Sequence, residues 1–252
     1  HSKLYRLTAS GWRVYLYPEV LLPLSYLEIY VDSANNMFLS GSNGSLVKID
    51  LSTNTFGTLL GLNFCCNSAD GKYWFTTNTG SIVSADQSMQ YFQEYAEPDG
   101  IMDMAMDLYY SKKSGLWAAG SHRGIAAVAR YLNGRWSVTS FPDLYLGIAY
   151  SGIIELGDSA IAFPGNGILE LDNTNFKGGF VAYNYNRNEW QKFPSSRVPQ
   201  RIPSIGQTSN GNLWFSGNSL QMFDGHNTSN VELPAKILSW TDDIEITPTA
   251  HI

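Results

Sequence analysis

Short polar turns, each followed by a pair of apolar or aromatic residues, recur five times along this chain. The copies lie at residues 35–38, 70–74, 114–117, 157–161 and 210–214. Their mean spacing is about 44 residues, which is the length of four short β-strands with their turns. Repetition at this period indicates one supersecondary unit that is stacked in an array.

Alternating apolar and polar positions surround each copy and predict strands. In the fifth unit, polar turns separate apolar runs at residues 205–208, 213–216, 220–223 and 231–233. The second and third units divide in the same way, and no stretch has a convincing helical period. Each unit therefore predicts a four-stranded antiparallel sheet.

The unit length predicts an all-β fold, a six-bladed β-propeller of four-stranded antiparallel blades, because six units of about 44 residues fit the 252-residue chain best. Residues 3–7 and 12–17 resemble third and fourth strands without their first two, and residues 238–247 resemble a first strand without its successors. We expect one domain, 1–252, closed by a composite blade from both termini, since closure removes exposed sheet edges. The predicted blades are 27–60, 62–96, 102–141, 147–194, 202–234 and a closing blade of 238–252 plus 1–18. The alternative is that the chain is a fragment of a longer protein.

Composition narrows the choice of partners. The net charge is −6 and only 15% of residues are charged, so the chain lacks the electrostatic basis for binding nucleic acid. No apolar stretch is long enough to predict a membrane span. Low charge with plentiful Asn, Ser, Thr and Tyr favours an extracytoplasmic location, periplasmic or secreted.

Two adjacent cysteines, Cys65 and Cys66, lie in a predicted first strand. A disulfide between neighbours is strained, so the simpler interpretation is that both are small residues lining the core. Their oxidation state stays open.

Residues 102–107 alternate strictly between methionine and small or acidic residues. This pattern predicts that the methionines share one strand face and that Asp103, Ala105 and Asp107 share the other. Paired carboxylates suit a hard cation, which makes Asp103 and Asp107 weak candidates for a metal site. The alternative is that these acids accept hydrogen bonds from nearby backbone amides. We predict no cofactor.

Unusual polar and aromatic residues gather in the connections that reach one end of a propeller, where ligands commonly bind. These connections join the fourth strand of a blade to the next blade, or the second strand to the third. Arginine and aromatic side chains suit an anionic or sugar-like ligand, through charge-assisted hydrogen bonds and stacking. The alternative is that these loops are simply solvated. The predicted ligand-binding residues are His122, Arg123, Tyr145, Arg201 and Trp240.

The fifth unit, residues 205–217 with 220–224, resembles the two-component regulator propeller repeat. Most of the chain matches this pattern, the fifth unit most sharply. The resemblance implies an extracytoplasmic sensor domain of a bacterial signalling protein, of a kind that often recognises carbohydrate fragments.

Residues 70–77 are similar to a repeat of the virginiamycin B lyases. That resemblance implies seven blades and a magnesium site served by a histidine and a nearby glutamate and histidine pair. The histidines here are His1, His122, His226 and His251, and none lies two residues from a glutamate.

The sequence thus predicts a non-catalytic recognition propeller, a sensor or carbohydrate-binding domain. Its partners would be a small molecule or oligosaccharide and, in a signalling chain, other protein domains. Two alternatives stay open: a propeller lyase or hydrolase with a metal in the channel, and a protein-interaction scaffold.

Overall fold

A computed structural model describes residues 2–17, 27–32, 34–41, 45–53, 55–142, 144, 152–165, 179–194, 197–199, 202–216 and 219–232. Within these residues every regular element is a strand, apart from a 3₁₀ turn at Glu97–Asp99. The chain divides into two compact units, His1–Glu94 and Tyr95–Ile252. The predicted all-β class with four-stranded antiparallel sheets is confirmed.

The first unit contains a two-stranded sheet and two four-stranded sheets, each with its strands in sequence order. The two-stranded sheet is formed by β1 (Ser2–Thr8) and β2 (Gly11–Tyr17). The next sheet contains β3 (Leu27–Val31), β4 (Asn36–Gly41), β5 (Ser45–Asp50) and β6 (Thr55–Leu60). The third contains β7 (Leu62–Asn67), β8 (Tyr73–Thr77), β9 (Ile82–Ala85) and β10 (Phe92–Tyr95).

The second unit contains three four-stranded sheets with the same order. The first has β11 (Met104–Ser111), β12 (Gly115–His122), β13 (Ile125–Leu132) and β14 (Arg135–Phe141). The second has β15 (Ile154–Leu156), β16 (Ala160–Gly165), β17 (Gly179–Asn184) and β18 (Glu189–Pro194). The third has β19 (Ile205–Gln207), β20 (Leu213–Phe215), β21 (Gln221–Phe223) and β22 (Thr228–Asn230).

The sequence repeat marks the hairpin that joins the first and second strands of each four-stranded sheet. Each of these hairpins contains a residue with positive φ, a conformation that glycine and asparagine tolerate best. These residues are Asn35, Gly71, Gly115, Gly157 and Gly211, with φ between 56° and 91°. The polar turn recurs because the same backbone conformation recurs.

The apolar residues that follow each turn form cores between consecutive sheets. In the first unit, Phe38 and Leu46 pack with Tyr73 and Phe75 of the next sheet. In the second unit, clusters join the β11–β14 sheet to the β15–β18 sheet, and that sheet to the β19–β22 sheet. Consecutive four-stranded sheets of each unit therefore pack face to face.

Tryptophans of the repeat belong to this packing. Trp74 and Trp117 are 2% and 1% exposed, and Trp117 lies in the cluster between the first two sheets of the second unit. Their indole nitrogens donate to the hydroxyls of Ser68 and Ser114, at 2.9 and 2.8 Å. Trp214 is only partly buried.

A buried carboxylate joins two sheets of the first unit. Asp32, at the end of β3, accepts hydrogen bonds from the Tyr73 hydroxyl at 2.7 Å, from the Asn36 side chain and backbone, and from the Ala34 amide. Burial alone would raise the pKa of Asp32, but these hydrogen bonds together lower it below the ordinary value.

Small side chains fill the middle of the β11–β14 sheet. Ala118 and Ala119 of β12 and Ala126, Ala127 and Ala129 of β13 have no measurable exposure. Alanine faces alanine in the pair Ala118 and Ala129, and Gly120 faces Ala127. The middle of the two central strands therefore carries little side-chain bulk.

The predicted alternation at residues 102–107 is wrong, because β11 contains a β-bulge. Ala105 pairs with Gly120 and Asp107 pairs with Ala119, so Met106 is an extra residue. Since Gly120 and Ala119 are neighbours on β12, Ala105 and Asp107 lie on opposite faces. The methionines also differ in exposure: Met102 is 1% exposed and Met104 is 44% exposed.

Candidate functional site

The turn between β12 and β13 carries two of the predicted ligand-binding residues. Residues His122 and Ile125 form the last strand pair, and Arg123 and Gly124 make the two-residue loop with φ of 52° and 76°. Positive φ at both positions is the type I′ conformation that suits the twist of a hairpin. The turn thus holds His122 and Arg123 at one end of the sheet, as predicted.

Asp103 ties this turn to the segment that leads into β11. Its two carboxylate oxygens lie 3.0 and 3.1 Å from the Arg123 backbone nitrogen, which donates to them. Because the donor is a backbone amide, the contact fixes the turn and leaves the arginine side chain free to point elsewhere.

The Arg123 guanidinium pairs with Glu97, its Nη2 lying 3.1 Å from the Glu97 Oε1. The Arg123 side chain is 75% exposed and the Glu97 side chain 47% exposed. Exposed pairs of this kind contribute about 0–1 kcal/mol. An anionic ligand can therefore displace Glu97 at small cost.

The His122 ring contains a buried nitrogen without a hydrogen-bond partner among the described residues. Its side chain is 25% exposed, but its Nδ1 is shielded from solvent and has no hydrogen-bond partner among the described residues. The Asp103 Oδ1 lies 3.8 Å from that nitrogen, which is beyond hydrogen-bond distance.

Arginine is an unusual residue at the first position of this turn. Among the described residues, five other than glycine have positive φ, and three of them are asparagines: Asn35, Asn133 and Asn188. In the same sheet, the β13–β14 hairpin uses Asn133-Gly134 with φ of 52° and 78°, almost the conformation of Arg123-Gly124. Asparagine would tolerate the positive φ at position 123 better than arginine does. The arginine at this position therefore indicates a role for its side chain.

The backbones of β11 and β12 approach each other closely at Gly120, near this turn. A Cβ at Gly120 would lie 2.0 Å from the Met104 carbonyl oxygen and 3.0 Å from the Met102 Sδ. Only glycine allows the backbones of β11 and β12 to approach this closely. The exposed Met104 and Ile125 provide apolar surface beside the polar groups.

The other predicted ligand-binding residues, Tyr145, Arg201 and Trp240, lie outside the described residues. The structure adds Glu97 and Asp103 to the site through their contacts with Arg123. Sequence gave no direct signal for these contacts, which span 26 and 20 residues of chain. The turn-forming residues 97–100 ahead of β11 are the one hint that the chain bends there.

The weak metal candidates do not form a pair. The Asp103 carboxylate holds the Arg123 amide, and the Asp107 Oδ1 accepts the Leu108 amide at 2.7 Å. The alternative interpretation, that these acids accept hydrogen bonds from backbone amides, therefore describes both. In the described part of the chain, no three His, Cys, Asp or Glu residues are close enough to hold a metal ion.

Comparison with solved structures identifies the architecture. The extracellular domain of the putative one-component system BT4673 from B. thetaiotaomicron matches 95% of this chain with a TM-score of 0.65 at 16% identity. The fold is a β-propeller. This propeller spans 34% of the length of that extracellular domain.

Two further solved structures match with similar scores. A streptogramin B lyase structure covers 92% of this propeller and 76% of its own chain, with a TM-score of 0.59 and 17% identity. A chain of the mitotic checkpoint complex covers 91% and 71%, with a TM-score of 0.61 and 11% identity. The two resemblances seen in the repeats, to signalling receptors and to propeller lyases, are thus confirmed as likenesses of fold.

No protein-family model matches the chain, and no curated protein matches it. Across the residues that the structure describes, there is no helix of the length and apolarity that a membrane crossing needs.

Proposed function

We propose that this propeller is a non-catalytic recognition domain, a sensor or carbohydrate-binding module that works outside the cytoplasm. The observation that carries the proposal is Arg123, which occupies a strained turn position while its guanidinium pairs, among the described residues, with an exposed glutamate. An arginine at a backbone position that disfavours it points to a role for its side chain. The likeness to an extracellular domain of a signalling system supports the proposed location.

The ligand class follows from the chemistry of the turn. Arg123 offers a planar cation for a carboxylate or sulfate, and the partly exposed His122 ring lies next to it in the same turn. Exposed Met104 and Ile125 add apolar surface for a sugar ring. We therefore propose an anionic oligosaccharide as ligand, with Tyr145, Arg201 and Trp240 completing the site.

Thermal-shift measurements test this proposal with oligogalacturonates and with neutral galactose oligomers of the same length. Ligand that binds only the folded state raises the melting temperature. We expect a rise with the anionic series that Arg123→Asn abolishes, whereas the matched charge removal Arg135→Gln, in the β13–β14 hairpin of the same sheet, leaves it intact. Equal shifts in Arg123→Asn and the unmodified chain would exclude this site.

We also propose six blades, with residues 238–247 joining the sheet of β1 and β2. That sheet has two described strands where the other sheets have four. Arg6 and Arg13 are paired across it, and residues 238–247 contain three acidic residues of opposite charge.

Hydrogen exchange tests this closure. We expect the amides of β1 to exchange faster in a chain that ends at residue 237 than in the full chain, because a paired edge strand protects its amides. Unchanged exchange of β1, in a truncated chain whose other sheets keep their protection, would contradict the closure.

A further inference from the structure

Cys65 and Cys66 do not lie on opposite faces of β7, because the strand bulges at this point. Phe64 pairs with Phe75 and Cys66 pairs with Trp74, which leaves Cys65 as an extra residue. Phe75 and Tyr73 share a face of β8, so their partners Phe64 and Asn67 share a face of β7. Both cysteines, between those two residues, therefore belong to the other face.

The surroundings of the two thiols agree with this geometry and correct the prediction that they line the core. Both cysteines are only partly buried. The Cys65 Sγ lies 3.8 Å from the Thr76 Oγ1 and 3.6 Å from the Asn63 carbonyl oxygen.

We propose that Cys65 and Cys66 form a redox-active dithiol that closes reversibly into a disulfide between neighbouring residues. Adjacent Cα atoms are about 3.8 Å apart, below the usual separation in disulfides, so the closed ring is strained and easily reduced. Strained and exposed disulfides are the labile ones. The bulge brings the two sulfurs to one face, and partial exposure gives an oxidant access.

The chemistry balances with a small disulfide as oxidant. The Cys65 thiolate attacks one sulfur of the oxidant, forms a mixed disulfide and expels one thiol. The Cys66 thiolate then attacks the Cys65 sulfur and expels the second thiol, so the dithiol loses two hydrogens and the oxidant gains them. We assign the first attack to Cys65, because the Thr76 hydroxyl beside it can donate a hydrogen bond to a thiolate.

Oxidised glutathione is the probe, and intact mass spectrometry is the measurement. We expect the reduced chain to lose both free thiols and the mass of two hydrogens, without an adduct, and to regain both thiols in reduced glutathione. Cys66→Ser should stop at a single glutathione adduct, and Cys65→Ser should form its adduct more slowly.

Three results would overturn the proposal: stable glutathione adducts on the unmodified chain, disulfide-linked dimers, or a pair of thiols that never reacts. Peptide mapping after digestion locates the bond whatever the fate of the serine variants. A ring that reduced glutathione fails to reopen would refute its reversibility.

Discussion

Replacing Arg123 by asparagine should make the propeller more stable while removing ligand binding. Arg123 has φ of 52°, and a left-handed conformation costs about 1–2 kcal/mol for a residue that is neither glycine nor asparagine. Asparagine relieves most of that strain, as Asn133 does in the next hairpin. The backbone amide that Asp103 holds is unchanged by the substitution.

The opposing contribution is the exposed ion pair with Glu97, worth about 0–1 kcal/mol. The net stabilisation therefore lies between about 0 and 2 kcal/mol; its centre, about 1 kcal/mol, raises the melting temperature by about 2–4 °C in a chain of this size. Calorimetry of Arg123→Asn beside Arg123→Gly and Arg135→Gln measures this effect. The reasoning fails if Arg123→Asn melts below the unmodified chain, since the arginine would then stabilise the fold by more than its strain.

Four further substitutions test the packing and the buried carboxylate. Trp117→Ala should reduce the free energy of unfolding by about 3–5 kcal/mol in urea titrations, because Trp117 is buried between two sheets, whereas Trp214→Ala should cost less. Gly120→Ala should destabilise by about 1–3 kcal/mol in the same titrations, since its Cβ would lie 2.0 Å from a carbonyl oxygen; an unchanged midpoint would show that β11 can move away. Asp32 has a lowered pKa in the folded chain, so its carboxylate stabilises the fold above the unfolded pKa and loses this effect as pH falls through the folded value. Urea midpoints of Asp32→Asn should accordingly lie well below those of the unmodified chain at pH 7 and approach them near pH 3; a constant difference would contradict the assignment.

The strands were predictable because local backbone demands mark their boundaries. A hairpin that needs positive φ selects Asn or Gly, as at Asn35, Gly71 and Gly211, and the apolar pairs that follow fill the cores between sheets. The turn residues and the apolar pairs both recur in every four-stranded sheet, so a single sequence is enough to show the repeat.

The bulges at Cys65 and Met106 were not predictable in this way. A bulge is a property of two paired strands, and the sequence of β11 alone alternates as a regular strand would. The same limit applies to the site. His122 and Arg123 stand out in their own turn, but the contacts with Glu97 and Asp103 depend on how a distant segment crosses that turn.

The buried alanines of β12 and β13 restrict which substitutions this protein can accept during evolution. Buried alanine has no rotamers to lose and no room to grow, so larger residues at Ala118 or Ala129 would collide with their surroundings. The turn at Arg123 meets no such barrier, because its side chain is exposed. Relatives should therefore exchange residues at Arg123, and with them their ligands, long before they alter the strands that hold it.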